Sequence, residues 1–202
     1  MGPLVTCLCL TRNRREWLPK AIACFQAQTY EPRELLIVAD GEDVTDLVPV
    51  DPNIRLIRSA PGMSIGAKRN WGCERAKGEL IAHFDDDDYS APGRLTDQVE
   101  RLQKSGRAVT GYHTMRFTDG ARWWVYEGKP AVTLGTSLLY RRDWQWTHPF
   151  CDVQVGEDGV FVSGAEAAGQ LIAVDAGGMM YATIHPGNTS LREPGEKHWR
   201  AL

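Results

Sequence analysis

Four consecutive carboxylates, Asp85, Asp86, Asp87 and Asp88, follow directly on the apolar run Leu80-Ile81-Ala82-His83-Phe84. That is the pattern of a buried strand delivering acids to its own end. Two unit charges about 6 Å apart at an effective dielectric of about 20 repel by roughly 3 kcal/mol, so the cluster calls for a positive partner. Aspartate oxygens are hard ligands suited to Mg²⁺ or Mn²⁺, and alternate carboxylates such as Asp85 and Asp87 can face one ion from a strand end. The alternative is a solvated acidic turn before a helix opened by Pro92, with Ser90 as its N-cap. The ends of the other apolar runs weigh against it. Leu4 to Leu10 runs into Thr11-Arg12-Asn13-Arg14, and Leu35 to Ala39 runs into Asp40-Gly41.

Between these runs lie stretches of helical spacing. Trp17, Leu18, Ala21, Ile22 and Phe25 share one face between Arg15 and Gln28, and Ser64 stands where a helix running to Lys77-Gly78 needs its N-cap. Residues 53–58 alternate as a more exposed strand, and a further helix is expected from Pro92 to about Lys104. Strands alternating with helices imply a largely parallel sheet covered on both faces, whose ligands bind outside the carboxyl ends of the strands. After Gly106 the alternation loosens. Strands are expected over 108–117, 122–126 and 132–140, a helix after Gly156-Glu157-Asp158-Gly159, and closing strands over 171–174 and 179–184. Tryptophans gather at Trp123, Trp124, Trp144 and Trp146. Such rings either stack on the CH face of a sugar or fill the core. The acids at 157 and 158 suit a helix N-terminus whatever else they do.

With 202 residues, 43% of them hydrophobic, the chain is expected to form one domain over 1–202. Two functional halves are read within it, the first reaching to about 105 and the second following from about 106. A net charge of −3 and a pI near 6.0 carry no electrostatic footprint for nucleic acid. Five cysteines without a CxxC pair indicate neither a disulfide framework nor a zinc site, and reduced thiols in a cytoplasmic protein are expected. No signal peptide and no membrane span are read from the sequence, and Asn188-Thr189-Ser190 is set aside as a chance match to a glycosylation acceptor.

Taken together, these motifs resemble the family 2 glycosyltransferases, inverting enzymes of the GT-A fold. Thr11-Arg12-Asn13-Arg14 is similar to the family's T-Y-N-R, with Arg12 in place of the usual Tyr. Ala39-Asp40-Gly41-Glu42 resembles D-D-G-S without its first carboxylate. Gly66 to Gly72 followed by Ala76-Lys77-Gly78-Glu79 is close to G-x-x-x-A-R-N-x-G…A-x-G-E. Phe84 to Asp88 with Pro92 matches the L-D-x-D-D…P segment that contains the DxD motif. Gly156-Glu157-Asp158 and His185 to Ser190 resemble the later E-D and H-x-x-N-x-S. The resemblance is dense from Val5 to Leu102 and thinner beyond.

It implies an α/β GT-A fold: a Rossmann-like mixed, mainly parallel sheet flanked by helices, with a nucleotide-sugar-binding half to about 105 and an acceptor-binding half from about 106. It implies a metal-dependent transferase moving one sugar from a nucleotide-diphosphate sugar, with a UDP-sugar favoured, to a carbohydrate or other hydroxyl. Thr11, Asp40 and Arg69 would hold the base and Asp86 the ribose, with Asn13 and Lys68 in the same nucleotide-sugar set. Asp85, Asp87 and His185 would hold Mn²⁺ or Mg²⁺, and Asp158 would be the general base. Glu157, Trp124 and Trp146 are the acceptor candidates. The absence of a Q-x-x-R-W run points to single sugar addition.

Three other readings stay open at this stage. A sugar-nucleotide pyrophosphorylase would normally carry a Gly-rich basic loop after the first strand, and residues 11–14 hold no glycine. A glycoside hydrolase needs paired carboxylates but no diphosphate site. A non-catalytic sugar- or nucleotide-binding module would have eroded acids, whereas Asp85, Asp87 and Asp158 are all present.

Overall fold

The computed structural model describes residues 2–190, 192–195 and 197–202. The N-terminal half alternates as expected: β1 (Val5–Arg12), α1 (Leu18–Gln26), β2 (Arg33–Asp40), β3 (Ile54–Arg58), α2 (Ile65–Arg75), β4 (Leu80–His83), a two-residue β5 (Tyr89–Ser90) and α3 (Arg94–Ser105). Strands β3, β2, β1 and β4 lie side by side, all parallel, with Leu8 opposite both Leu36 and His83. All four therefore end at one rim. Side chains alternate across the sheet. Cys7, Cys9, Leu35 and Ile37 pack with Leu18, Ile22 and Phe25 of α1 and with Leu95 and Val99 of α3. Leu8, Leu36, Val38 and Ile81 pack on the opposite face with Cys73 of α2.

The second half extends the same sheet with β6 (Val109–Thr118), β7 (Trp123–Glu127), β8 (Leu139–Arg141), β9 (Leu171–Asp175), β10 (Met180–Thr183) and β11 (Trp199–Ala201), and adds α4 (Arg142–Thr147) and α5 (Glu157–Ala167). The main path runs β11-β7-β6-β8-β4-β1-β2-β3. Here the pairing is mixed. β8 is antiparallel to β4 and to β6, and β7 is antiparallel to β6 and to β11, while β9 and β10 run parallel to β6. The architecture is a mixed α/β sheet flanked by helices.

Two local expectations need correction. The strand anticipated over 132–140 is a single 3₁₀ turn, Gly135–Ser137, followed by the short β8. Ser137 explains the break, because its hydroxyl accepts from Tyr112 N at 2.8 Å and donates to Leu134 O at 2.7 Å, pinning a turn where a ladder would run. The helix expected from Pro92 begins at Arg94 behind Gly93, and Ser90 lies in β5, where its hydroxyl accepts from Arg94 at 2.8 Å. Ser64 does cap α2, accepting from Ala67 N at 3.0 Å. Among the described residues, no helix is long and apolar enough to cross a membrane.

Candidate active site

The rim where β1, β2 and β4 end borders a cavity of about 820 Å³. The acidic tetrad turns there, with Asp88 N donating to Asp85 O across the bend. Two guanidinium groups meet its carboxylates and a third lies beneath. Arg14, just past β1, reaches Asp86 Oδ1 at 3.0 Å and Asp87 Oδ2 at 2.9 Å through one nitrogen. Arg69 of α2 lies 3.8 Å from Asp85 and 3.1 Å from Glu157. Arg94, fully buried beneath, donates to His83 O at 2.8 Å. Burial and the neighbouring Asp87 still push Asp86 up to about 7, with Arg14 opposing. Burial pushes Asp88 up to about 7 as well. Burial also works against ionisation of Asp85, but Arg69 leads the opposing groups and its carboxyl ends below its ordinary value.

The four acids do not act alike. Asp87 Oδ2 meets His185 Nε2 at 2.9 Å and Asn188 Nδ2 at 3.2 Å in addition to Arg14, and His185 is stacked on Trp17 at 4.6 Å. Asp88 faces inward, accepting from Thr183 N at 2.9 Å and from the Thr136 hydroxyl. Asp85 faces Arg69, so it does not join Asp87 and His185, and no three His, Cys, Asp or Glu side chains converge on one point among the described residues. The turn at 86–87 is the reason, since it breaks the alternation that would have put Asp85 and Asp87 side by side. A carboxylate and an imidazole 2.9 Å apart nevertheless suit a divalent ion that takes most of its shell from diphosphate oxygens and water.

Among the described residues, Thr11 Oγ1, Arg69 Nη1 and Asp86 Oδ2 are buried at this rim without a hydrogen-bond partner, and Asp40 Oδ1 has only its ion pair with Arg12. Buried polar groups are almost always paired, so a cluster of unpaired ones marks where a polar ligand belongs. Asp40 is gripped from two sides, by Lys68 at 3.3 Å and by Arg12 at 3.2 Å, and does not itself border the cavity. Asn13 stands apart from the cavity and accepts from Glu42 N at 2.9 Å, closing the turn after β2. Thr11, Lys68, Arg69 and Asp86 all border it.

The opposite wall comes from the second half. Gly156, at φ +87, ends the approach to α5 and lets Glu157 and Asp158 open the helix. Glu157 is buried on Arg69, and burial raises its pKa. Asp158 borders the cavity, with Oδ1 accepting from Gly159 N at 2.9 Å. Its other oxygen lies against Gly135, where a Cβ would fall 1.7 Å from Oδ2. The Gly135 carbonyl is held in turn by His83 Nδ1 at 2.7 Å. Burial and Arg69 keep His83 neutral, well below its ordinary pKa, so Nδ1 carries the donated proton.

The family model described as "Glycosyl transferase family 2" matches residues 7–156. The chain belongs to glycosyl transferase family 2. An uncharacterized glycosyltransferase of Haemophilus influenzae is 25% identical over 114 residues, 54% of this chain and 46% of that protein. The chain thus spans about half the length of that relative. Of solved structures, S. aureus TarS 1-349 in complex with UDP-GlcNAc superposes with a TM-score of 0.74 at 18% identity, covering 94% of this chain and 60% of that one. The mannosyltransferase PcManGT of Pyrobaculum calidifontis, in complex with GDP-Man and Mn²⁺, gives 0.71 at 16% identity, covering 91% and 57%. At such identities the likeness speaks for the GT-A fold alone.

Within this family 2 domain, Trp124 and Trp146 do not border the cavity. Arg122 covers Trp124 at 5.1 Å, and Trp146, 58% exposed, lies under Arg142 at 5.0 Å. The aromatic side chains that do border it are Phe117, Tyr126 and Trp199. Sequence reasoning missed them, and it assigned no role to Arg14 or Arg192. Trp199 reaches the site only because β11 pairs with β7, and three residues of pairing leave no periodic signal.

Proposed function

We propose that this chain transfers one sugar from a nucleotide-diphosphate sugar to an acceptor hydroxyl by single displacement with inversion, UDP being the favoured nucleotide. One observation carries the reading: Lys68, Arg69, Asp86 and Asp87 border a single cavity that Asp158 borders from the other half of the chain. On this reading residues 1–202 work as one domain, the first half holding the donor and the second the acceptor. Thr11 and Asp86, each with an unpaired buried oxygen, face the nucleoside. Asp40 Oδ1, buried and held only by its ion pair with Arg12, would meet a ring N–H of uracil once Arg12, with its side chain 54% exposed, gives way.

Lys68 and Arg69 stabilise the negative charge that develops on the departing diphosphate, without moving a proton. A Mn²⁺ or Mg²⁺ ion held by Asp87 and His185 supplies further positive charge to that leaving group when bound. Asp158 removes the proton from the acceptor hydroxyl. Its Oδ1 is oriented by Gly159 N–H, and its Oδ2 lies in the space that Gly135 leaves open. TarS with UDP-GlcNAc and PcManGT with GDP-Man and Mn²⁺ make a nucleotide-diphosphate sugar and a divalent ion the reasonable first ligands to try. The five free thiols agree with work in the reducing cytoplasm.

The test is a thermal-shift panel of UDP, GDP and ADP with and without Mn²⁺, joined to UDP release from UDP-sugars by Asp158→Asn. UDP with Mn²⁺ should stabilise the protein most. The variant should keep that stabilisation and lose turnover by at least about 10²-fold, the lower range for removing a general base. Near wild-type turnover in Asp158→Asn refutes the base, and a preference for GDP or ADP refutes the uridine reading.

A further inference from the structure

We propose that Arg14, which bridges Asp86 and Asp87, leaves these carboxylates when the divalent ion enters and turns to the diphosphate. This rests on the reading of Asp87 as the metal-holding carboxylate. One Arg14 nitrogen bridges Asp86 Oδ1 at 3.0 Å and Asp87 Oδ2 at 2.9 Å, and the other donates to the Gly187 carbonyl. With His185 and Asn188 also on Asp87 Oδ2, that oxygen is crowded, and Arg14 holds the charge that an ion would take. A dication on the same oxygen would also be repelled by the guanidinium at close range.

The two cations therefore compete for one carboxylate until a third charge of opposite sign arrives. A diphosphate supplies it. Arg14 borders the cavity, its side chain is one-fifth exposed, and a planar guanidinium grips phosphate oxygens two at a time. The exchange makes ion and nucleotide each favour the other's binding, and such coupling is reciprocal. It also frees Gly187, whose segment through Ser190 borders the same cavity.

The experiment is calorimetric titration of the full chain with Mn²⁺ alone and with Mn²⁺ at saturating UDP, for wild type, Arg14→Gln, Arg14→Lys and Asp87→Asn. In Arg14→Gln, Mn²⁺ alone should bind about tenfold more tightly than in wild type, and the factor by which UDP tightens it should shrink, from a range of roughly 5- to 150-fold for coupled sites. Arg14→Lys keeps a charge but has one nitrogen where Arg14 uses two, one on the carboxylates and one on the carbonyl, so it should shift both quantities the same way by less. It also serves as the deciding variant if Arg14→Gln does not fold. A merely structural Arg14 would leave Mn²⁺ affinity unchanged or weakened in these variants, and that result overturns the proposal. If Asp87→Asn binds Mn²⁺ as wild type does, the reading of Asp87 itself falls, and the exchange with it.

Discussion

Adding one methyl group at Gly135 tests whether catalysis depends on where Asp158 sits. Built on the existing backbone, the Cβ of Gly135→Ala falls 1.7 Å from Asp158 Oδ2, 2.5 Å from Cγ and 2.7 Å from Cβ, whereas real Cβ contacts essentially never come under 3.0 Å. Oδ2 must therefore retreat by about 1.3 Å. Rotating the carboxylate does not suffice, because Cγ and Cβ are also too close, so the first turn of α5 has to move relative to the 135–137 turn. Overpacking of this kind costs about 1–3 kcal/mol, against a typical stability of about 5–15 kcal/mol, so the variant should remain folded. A misplacement of about 1 Å at a reacting group costs on the order of 10²-fold in rate. UDP release from a UDP-sugar should fall by about that factor, while thermal shifts with UDP and Mn²⁺ stay near wild type. Wild-type turnover in a folded Gly135→Ala would show that the Asp158 carboxylate is not the base, or that its position is not set by this contact.

Two further expectations concern the scaffold. Glu34 accepts from the Thr6 hydroxyl and Lys77 N, each at 2.7 Å, and from Arg55 Nε at 3.1 Å; burial opposes its ionisation, but these donors hold its pKa below the ordinary 4.5. The unfolded chain binds more protons in the window just below 4.5, so this stabilisation is present above that value and is lost as pH falls through the lowered one. Glu34→Gln should cost about 1–3 kcal/mol in urea melts at pH 7, and the difference from wild type should vanish in acid; a pH-independent difference would contradict it. Of the five cysteines only Cys151 is exposed, and burial pushes the Cys7 and Cys73 thiols up to about 12. A thiol reagent should titrate one group in the native protein and five in denaturant, and more than one fast native group would contradict the packing.

Local chemistry determined much of this protein before any folding. The apolar runs ending at Thr11, Asp40 and Asp85 announce parallel strands whose tips share a rim, because period-2 burial and helical spacing are written in consecutive residues. The place of Asp85 to Asp88 at a strand end follows from Leu80 to Phe84, whereas the burial of Asp86 and Asp87 does not. Charge balance predicted that something positive would meet the acidic tetrad. What it could not say is that Arg14 and Arg69 would do so, since Arg14 lies more than seventy residues from its partners and only the register of β1 on β4 brings them together. In the same way the turn at 86–87 separates Asp85 from Asp87, although their spacing suggested a pair. Trp146 and Trp199 are equally aromatic in the sequence; one lies on the surface and the other borders the cavity because β11 adds to β7. Asp158 reaches the cavity only where Gly135 has no side chain, a fit between a turn and a helix that no local pattern encodes. Residue type and spacing decide which elements form and what chemistry they carry, whereas the direction each group faces is decided by contacts between distant segments.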